Sequence, residues 1–508
     1  MKKSLLSLLL VLLAVVPVPV AAQLGGGLPD PVFGDPSLIA DENTIHPLAT
    51  KHCSGCHLPP RPGSMTRAGW GPTFLNMTKF MREQNVPIIA EELNWLYQFY
   101  LTNSPERFQM PPDDFGAMGL RLELSPVGEP PAHPRPEVTH INIVDLDGDG
   151  RQGALVCDNR RAAVSWLEQE NGRWSETKVA DVNAPVKTAV FDFEGDGDRD
   201  IVVAGLGYMN PNDDLIGEAH LLLNDGNENF EQIGLLKDVE RIADVQPGDF
   251  DGDGDTDFVL AHFGWRKTGG ISWLEQIEPR TFRKHDIFKI NGPMRLEVLD
   301  HDGDGDDDFL VLITQQHESL VLFSNDGKGT FSNRILVRAT HPSYGSSSFQ
   351  MVDLDGDGDR DILSTNGDMM DENPEWKPFH GVRWFEKDGD EYRMHPLAAM
   401  PGCYCARAID MDGDGDLDIV ASTMNFFWDV NEFPSLVWFE NDGAQNFTKR
   451  KIAHAPSNLA SFDVGDLNGD GRPDILAGGM HVPGPLGRVG RLTVWMNQGL
   501  EDEQDRSD

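Results

Sequence analysis

From about residue 140 onward, the apolar and polar positions of the chain repeat a single unit. An acidic, glycine-bearing loop is followed by a short run with little polar break, as in Asp200-Ile-Val-Val-Ala204, Asp257-Phe-Val-Leu-Ala261 and Asp418-Ile-Val-Ala-Ser422. Apolar runs this short, bounded by turn residues, read as buried strands. About twenty residues later comes a strand-like segment carrying Trp166, Leu223, Trp273, Phe323, Trp384, Trp438 or Trp495. A turn rich in Asn, Asp and Gly follows, and then an aromatic (Trp174, Phe230, Phe282, Phe331, Tyr392 or Phe447) opens one more strand. With the segment before each loop, this makes four short strands in a repeat of about 53 residues, the pattern of a β-propeller blade. The loops start at Asp145, Asp192, Asp249, Asp300, Asp353, Asp410 and Asp466, so the pattern predicts seven blades over 119–497. The seventh repeat stops at Trp495-Met-Asn-Gln-Gly499 and lacks an outer strand, while Leu120–Pro126 stands spare before the first. Donating that spare strand would close the ring and remove an exposed sheet edge. A straight solenoid would need capping ends that the sequence does not provide.

The first part of the chain is patterned differently. Lys2, Lys3, the apolar run Leu5 to Val16 and the small residues Val20-Ala21-Ala22 read as a secretory signal over 1–22, cleaved near Ala22. The run is short for a membrane span. A linker over 23–45 follows, and the expected location is periplasmic or secreted. Trp70, Phe74, Met77 and Met81 lie at i, i+4, i+7 and i+11, one face of a helix. Glu91 to Asn103 predicts a second helix, with Leu93, Leu96, Tyr97 and Tyr100 facing inward. These helices fall in a small all-α segment, 46–112, that opens with Cys53-Ser-Gly-Cys56-His57. In this spacing both thiols can add to haem vinyl groups while the histidine supplies a nitrogen to iron. A zinc site would want a second ligand pair nearby, and none follows. Met77, Met81 and Met110 are all within reach as sixth ligand. The segment resembles compact cytochrome c modules in which a Trp is followed seven residues later by a ligating Met. That resemblance implies Met77, paired with Trp70, with Met110 of Met110-Pro-Pro as runner-up. Cys157, Cys403 and Cys405 remain, and their pairing is left open.

Charge sharpens the picture of the repeats. The net charge is −41, and much of the acidity sits in the seven loops. No basic face is available to neutralise phosphates, which excludes nucleic acid as a partner. Residues 498–508 form an acidic run expected to be solvated. Each loop reads Asp-x-Asp-Gly-Asp-Gly-x-x-Asp. Positions 1, 3, 5 and 9 offer side-chain oxygens, and the glycines allow the backbone to turn tightly. Hard oxygens in this number suit calcium, so up to seven Ca2+ are expected. The full sets are Asp249, Asp251, Asp253 and Asp257; Asp300, Asp302, Asp304 and Asp308; Asp353, Asp355, Asp357 and Asp361; and Asp410, Asp412, Asp414 and Asp418. The second set is Asp192, Glu194, Asp196 and Asp200, and the seventh is Asp466, Asn468, Asp470 and Asp474. The first has Asp145, Asp147 and Asp149 but Gly153 at position 9, so it is expected to be the weakest. An EF-hand is excluded, because position 12 from Asp249 is Leu260.

The repeats resemble the FG-GAP/VCBS family, whose propellers also occur in integrin α subunits. Arg241-Ile-Ala-Asp-Val-Gln246, Ala261-His-Phe-Gly-Trp265, Gln316-His-Glu318, Asn366-Gly-Asp368 and Lys377-Pro-Phe-His-Gly381 are similar to a bacterial group in which a cytochrome c module precedes the propeller. The resemblance implies a mainly β, seven-bladed fold behind a small all-α haem domain with one covalent haem c. It also implies that the calcium loops lie at one end of the propeller. The opposite end would then gather Lys187, Arg241, Arg295, His341 and Arg407 with His262, Trp265, His317, Asn366, Asp368, His380 and His481. That set would suit an anionic ligand or a metal. No Ser-His-Asp order or nucleotide-binding glycine loop stands out. Three functions fit: an electron-transfer protein whose propeller docks a redox partner or ligand, a haem-coupled oxidoreductase with its substrate at the channel mouth, and a polymer- or protein-binding adhesion module. Quinone-dependent propeller dehydrogenases are an analogy for the second at the level of fold alone.

Overall fold

The computed structural model describes residues 41–500 except 56, 88, 340, 371–374, 429, 431–432 and 483. The expected signal segment with Ala22, most of the linker, Cys56 and residues 501–508 lie outside the described residues. The described residues form two compact units, the first made of 41–55 with 59–108 and the second of 57–58 with 109–500. No helix among the described residues is long and apolar enough to cross a membrane.

Among its described residues the first unit contains three α-helices, α1 (Pro47–Cys53), α2 (Arg67–Glu83) and α3 (Ala90–Asn103). Local chemistry sets their starts. His46 Nδ1 accepts from the Leu48 amide with Pro47 in the first turn, and Thr66 Oγ1 accepts from the Gly69 amide. The predicted inner stripe of α3 is buried: Leu93, Leu96, Tyr97 and Tyr100 all face the core. Trp70 and Phe74 of α2 pack on it, with ring centroids 4.2 Å apart for Trp70–Tyr100 and 5.2 Å for Phe74–Tyr97. The buried row of α2 continues to Thr78 instead of to Met77, which is 41% exposed. Stepping by four residues from Trp70 moves the buried stripe around the helix and leaves Met77 at its margin. Glu92 ties α3 to α1 by accepting from Lys51 Nζ and meeting His52 Nε2, both at 2.7 Å.

The second unit is a ring of seven four-stranded antiparallel sheets. The inner strands are Val138–Val144, Pro185–Phe191, Ile242–Gly248, Pro293–Leu299, Ser346–Val352, Cys403–Ile409 and Leu459–Gly465, which define blades one to seven. Each touches the next, and the seventh touches the first. The second strands, such as Asp257–His262, are buried on both faces, which is why they read as unbroken apolar runs. The apolar cores lie between blades: Phe250 and Trp273 of the third pack against Phe309 and Phe323 of the fourth, and every other junction has its counterpart.

Leu120–Pro126 pairs antiparallel with Leu492–Leu500, Leu124 opposite Trp495, and so supplies the outer strand of the seventh blade as expected. Two boundaries move. The last strand runs to Leu500, because Leu120 pairs with Leu500, so 498–500 are sheet and not tail. Met110 belongs to the second unit, where Asp113 and Asp114 pair with Lys451 and Lys449.

A buried ion cluster locks the seam between the seventh and first blades. Arg491 Nε donates to Asp158 at 2.8 Å, and its two terminal nitrogens reach Glu176 at 2.6 and 2.7 Å, all three side chains being about 3% exposed or less. Removing one partner of a buried pair strands the other's charge. Arg491→Ala is therefore expected to lower unfolding free energy by about 3–5 kcal/mol in denaturant melts. A loss under about 1 kcal/mol would mean that water reaches both carboxylates.

Candidate functional site

Each acidic loop joins an inner strand to the second strand of its blade. The first carboxylate shapes the loop from within: Asp145 accepts from the Gly148 amide at 2.8 Å and the Gly150 amide at 3.0 Å. Asp192, Asp249, Asp300, Asp410 and Asp466 do the same. Gly148 and Gly150 have φ of 72° and 87°, and a Cβ on either would meet nothing, so backbone conformation alone calls for glycine here. The remaining oxygens converge. In five loops three carboxylates bring atoms within 4.8 Å of one another: Asp145, Asp147 and Asp149; Asp249, Asp251 and Asp257; Asp300, Asp302 and Asp304; Asp353, Asp355 and Asp357; Asp410, Asp412 and Asp418. The buried Oδ1 atoms of Asp353 and Asp412 have no hydrogen-bond partner. Burial, then the like charges beside them, push the Asp251 and Asp412 carboxyls above the usual range. Hard donors, orphaned oxygens and crowded negative charge fit a calcium ion.

Position 9 has a second role that the spacing alone does not reveal. Asp257 accepts from the Phe250 and Gln276 amides and from Trp273 Nε1 at 3.3, 2.7 and 2.9 Å. Asp361 does so with Leu354, Lys387 and Trp384 Nε1. Asp200, Asp308, Asp418 and Asp474 likewise tie the loop to the end of the third strand. Burial pushes Asp257 up to about 6 and Asp418 up to about 7. At Gly153 this clasp is absent and the Trp166 ring fills the space, 2.4 Å from where a Cβ would lie. Its loop still brings three carboxylates together, Asp145, Asp147 and Asp149, without a fourth from position 9. The second and seventh loops are the ones missing from the five. Glu194 turns to Arg280 at 2.6 Å, and Asn468 Nδ2 donates to Asp470, which Arg472 also holds.

The inner strands line the axis with polar side chains, and these staple neighbouring blades together at four of the junctions. Asp244 accepts from the Leu296 amide, Glu297 from Met351, Gln350 from Ala408, Ser461 from Ile141 and Asp463 from Ile143, at 2.9–3.2 Å. These amides belong to sheet edges and would otherwise lack partners. Lys187, Arg295 and Arg407 lie on inner strands along the axis instead of in loops on the face. Each influences the titration of His140, a buried residue that sequence reasoning missed. No local motif marks His140; its importance comes from the blades opposite. Arg407 pairs with Asp463 at 3.2 Å.

The other predicted residues are held by partners in nearby strands and loops. Arg241 is buried and donates to the Tyr208 and Met209 carbonyls. His262 meets Ser272 Oγ at 2.7 Å, and His317 meets Asn291 Oδ1 at 3.1 Å. His341 Nδ1 accepts from the Ser343 amide, and Asn366 Nδ2 donates to the Tyr344 and Phe379 carbonyls. Asp368 accepts from the Met370 amide, His380 is fully buried beside Lys377, and His481 Nε2 lies 3.4 Å from the Gly484 carbonyl. Cys157, Cys403 and Cys405 are free and buried.

In the haem-motif segment, Cys53 ends α1, and His57 Nδ1 meets the Leu58 carbonyl at 2.8 Å. The chain beyond is held from both helices, since Trp70 Nε1 donates to the Pro62 carbonyl and the Tyr100 hydroxyl to that of Pro60. A histidine whose Nδ1 is fixed on a carbonyl presents Nε2 to a metal, which fits the proximal role.

Trp265 serves through its backbone. The amides of Trp265, Arg266, Lys267 and Thr268, with the Thr268 hydroxyl, all donate to one oxygen of Asp213 at 2.8–3.1 Å. Burial opposes ionisation of this carboxyl, but the amides prevail and hold it down to about 2. A depressed carboxyl adds stability that is complete above its unfolded value of about 4 and is lost as pH falls through the folded value. The stability gap between the native protein and Asp213→Asn should therefore be constant above pH ~4 and shrink towards pH ~2. An equal gap at both ends, read by paired chemical melts, would show that the charge contributes nothing.

The model of the FG-GAP-like repeat matches residues 192–260, 300–364 and 410–477. These spans cover the second, fourth and sixth loops and the strands around them. No curated protein matches the chain. Seven loops of one design, in seven blades of one topology closed by a donated strand, make this chain a seven-bladed β-propeller of FG-GAP-like repeats.

Proposed function

We propose that the chain is an exported c-type haem electron-transfer protein whose calcium-braced propeller is the platform that docks its partner or ligand. The observation that carries this reading is the bond from His57 Nδ1 to the Leu58 carbonyl within Cys53-Ser-Gly-Cys56-His57, which leaves Nε2 as the ring nitrogen available to iron. Cys53 and Cys56 would hold the haem covalently, His57 would be its proximal ligand, and Met77, exposed on α2, is the proposed sixth. Haem supplies reversible one-electron chemistry. The polypeptide orients the imidazole and keeps the segment after it in place through Trp70 and Tyr100. Calcium in the acidic loops would neutralise carboxylates that otherwise repel.

Two measurements test the two halves separately. The purified protein should give a c-type pyridine haemochrome spectrum, and Cys53→Ala should lose most of the covalent haem without changing the propeller's melting. Chelator should lower the melting temperature, because each site filled to about 100-fold over its Kd contributes about 2.7 kcal/mol. Melting that ignores chelator rules out calcium bracing, and an absent haem spectrum rules out electron transfer. Haem reduction by another cytochrome supports a carrier. Reduction by a small substrate alone favours the oxidoreductase reading.

A further inference from the structure

We infer that the wedge between the fifth and sixth blades binds a small neutral aromatic molecule, in an apolar cavity that residues 110–115 help to enclose. The inference names a ligand for the platform reading of the propeller, on which it rests, and is independent of the haem.

Three pieces of the second unit build the cavity, which has a volume of about 200 Å³. The sixth blade supplies Val437 and Phe439, and the end of the fifth supplies Met400 and Pro401, all four buried. The stretch before the donated strand adds Met110 and Phe115. It is fastened to the outer strand of the sixth blade, Phe447–Ala453. The Gly116 amide donates to the Lys449 carbonyl at 2.8 Å, Asp113 pairs with Lys451 at 3.4 Å, and Asp114 pairs with Lys449. Lys449 and Lys451 stand opposite Phe439 and Val437 across the strand pair and so share their face of the sheet. Their ammonium groups lie 5.2 and 5.0 Å from the centre of the Phe115 ring.

Size and charge select the occupant. Protein interiors hold few voids larger than a water molecule, and water needs polar partners that these apolar side chains do not offer. An apolar cavity of about 150 Å³ is enough to take benzene, so this one has room for a single ring with a short substituent. Met110 is 40% exposed, which leaves a way in. The charges then decide between kinds of ring. Both lysines already have a carboxylate, from Asp113 and Asp114, so an anion would gain little and would lose its water. A neutral aromatic ring gains from the cations, from the thioethers of Met110 and Met400, and from the rings of Phe115 and Phe439. A saturated ring of the same shape has no π-face with which to gain from the cations or the rings.

The test is a magnetic-resonance titration of the full, calcium-loaded chain carrying isotope-labelled methionine methyls, with Met110 and Met400 assigned from Met110→Leu and Met400→Leu. The probes are benzyl alcohol, cyclohexylmethanol and benzoate. Benzyl alcohol should shift the Met110 and Met400 methyls saturably and leave methionines elsewhere in place. Cyclohexylmethanol is the more hydrophobic of the two alcohols, so burial alone would favour it; it should nevertheless bind at least three-fold more weakly, and benzoate at least ten-fold more weakly. Ala399→Phe, at an exposed position that lines the cavity, should abolish the shifts while keeping chelator-sensitive melting. Lys451→Met should narrow the preference for the aromatic alcohol. Cys53→Ala should bind as the native chain does, and neither the haem spectrum nor the chelator response depends on the outcome, so failure here is distinct from failure of the haem or calcium readings. Absent or unsaturable shifts, shifts spread over the other methionines, equal or tighter binding of cyclohexylmethanol or benzoate, or unaltered binding in a folded Ala399→Phe would overturn the inference. If that variant does not fold, the three probes on the native chain still decide it.

Discussion

A four-stranded sheet that is apolar on both faces cannot stand alone in water, and the whole second unit follows from that constraint. Every blade buries one face against the blade before it and the other against the blade after, so the cores are intersheet layers instead of one central mass. Such an arrangement has no natural end short of closure. The ring closes because Leu120–Pro126 pairs with Leu492–Leu500, and because Arg491 binds Asp158 and Glu176 across the same seam. The inner strands then meet around the axis with edge amides to satisfy, and Asp244, Glu297, Gln350, Ser461 and Asp463 satisfy them from the neighbouring blade. The axis is polar for a structural reason before it is polar for any ligand.

The same economy runs through the acidic loops. One carboxylate folds the loop backbone, one locks the loop to the third strand wherever position 9 is Asp, and in five loops three carboxylates bring oxygens to a common centre. This division explains why negative charge so dense does not merely repel. Nearly every carboxylate at positions 1 and 9 answers an amide, and a cation is wanted by the remainder. Where the remainder is disturbed, a basic residue has moved in, as Arg280 has at Glu194 and Arg472 at Asp470. Charge neutralisation by arginine and by metal are alternative solutions of one local problem.

The amino-acid order alone determined the blade count, the strand types, the loops and even the donated strand, because each depends on spacing that recurs within about 53 residues. It also marked the inner row of α3, for which a 3.6-residue period suffices. Only the tertiary structure decided what depends on neighbours distant in sequence. Met77 lies at the margin of α2 because Thr78 takes the buried row beside α3. The Trp166 ring takes the space that Gly153 leaves where other blades place an aspartate. Lys187, Arg295 and Arg407 meet His140 because four different blades converge on one axis, whereas Arg241, with the same charge, is buried on the Tyr208 and Met209 carbonyls. Periodicity is a local property that one chain displays openly. Convergence is a property of the closed ring, and no segment carries it by itself.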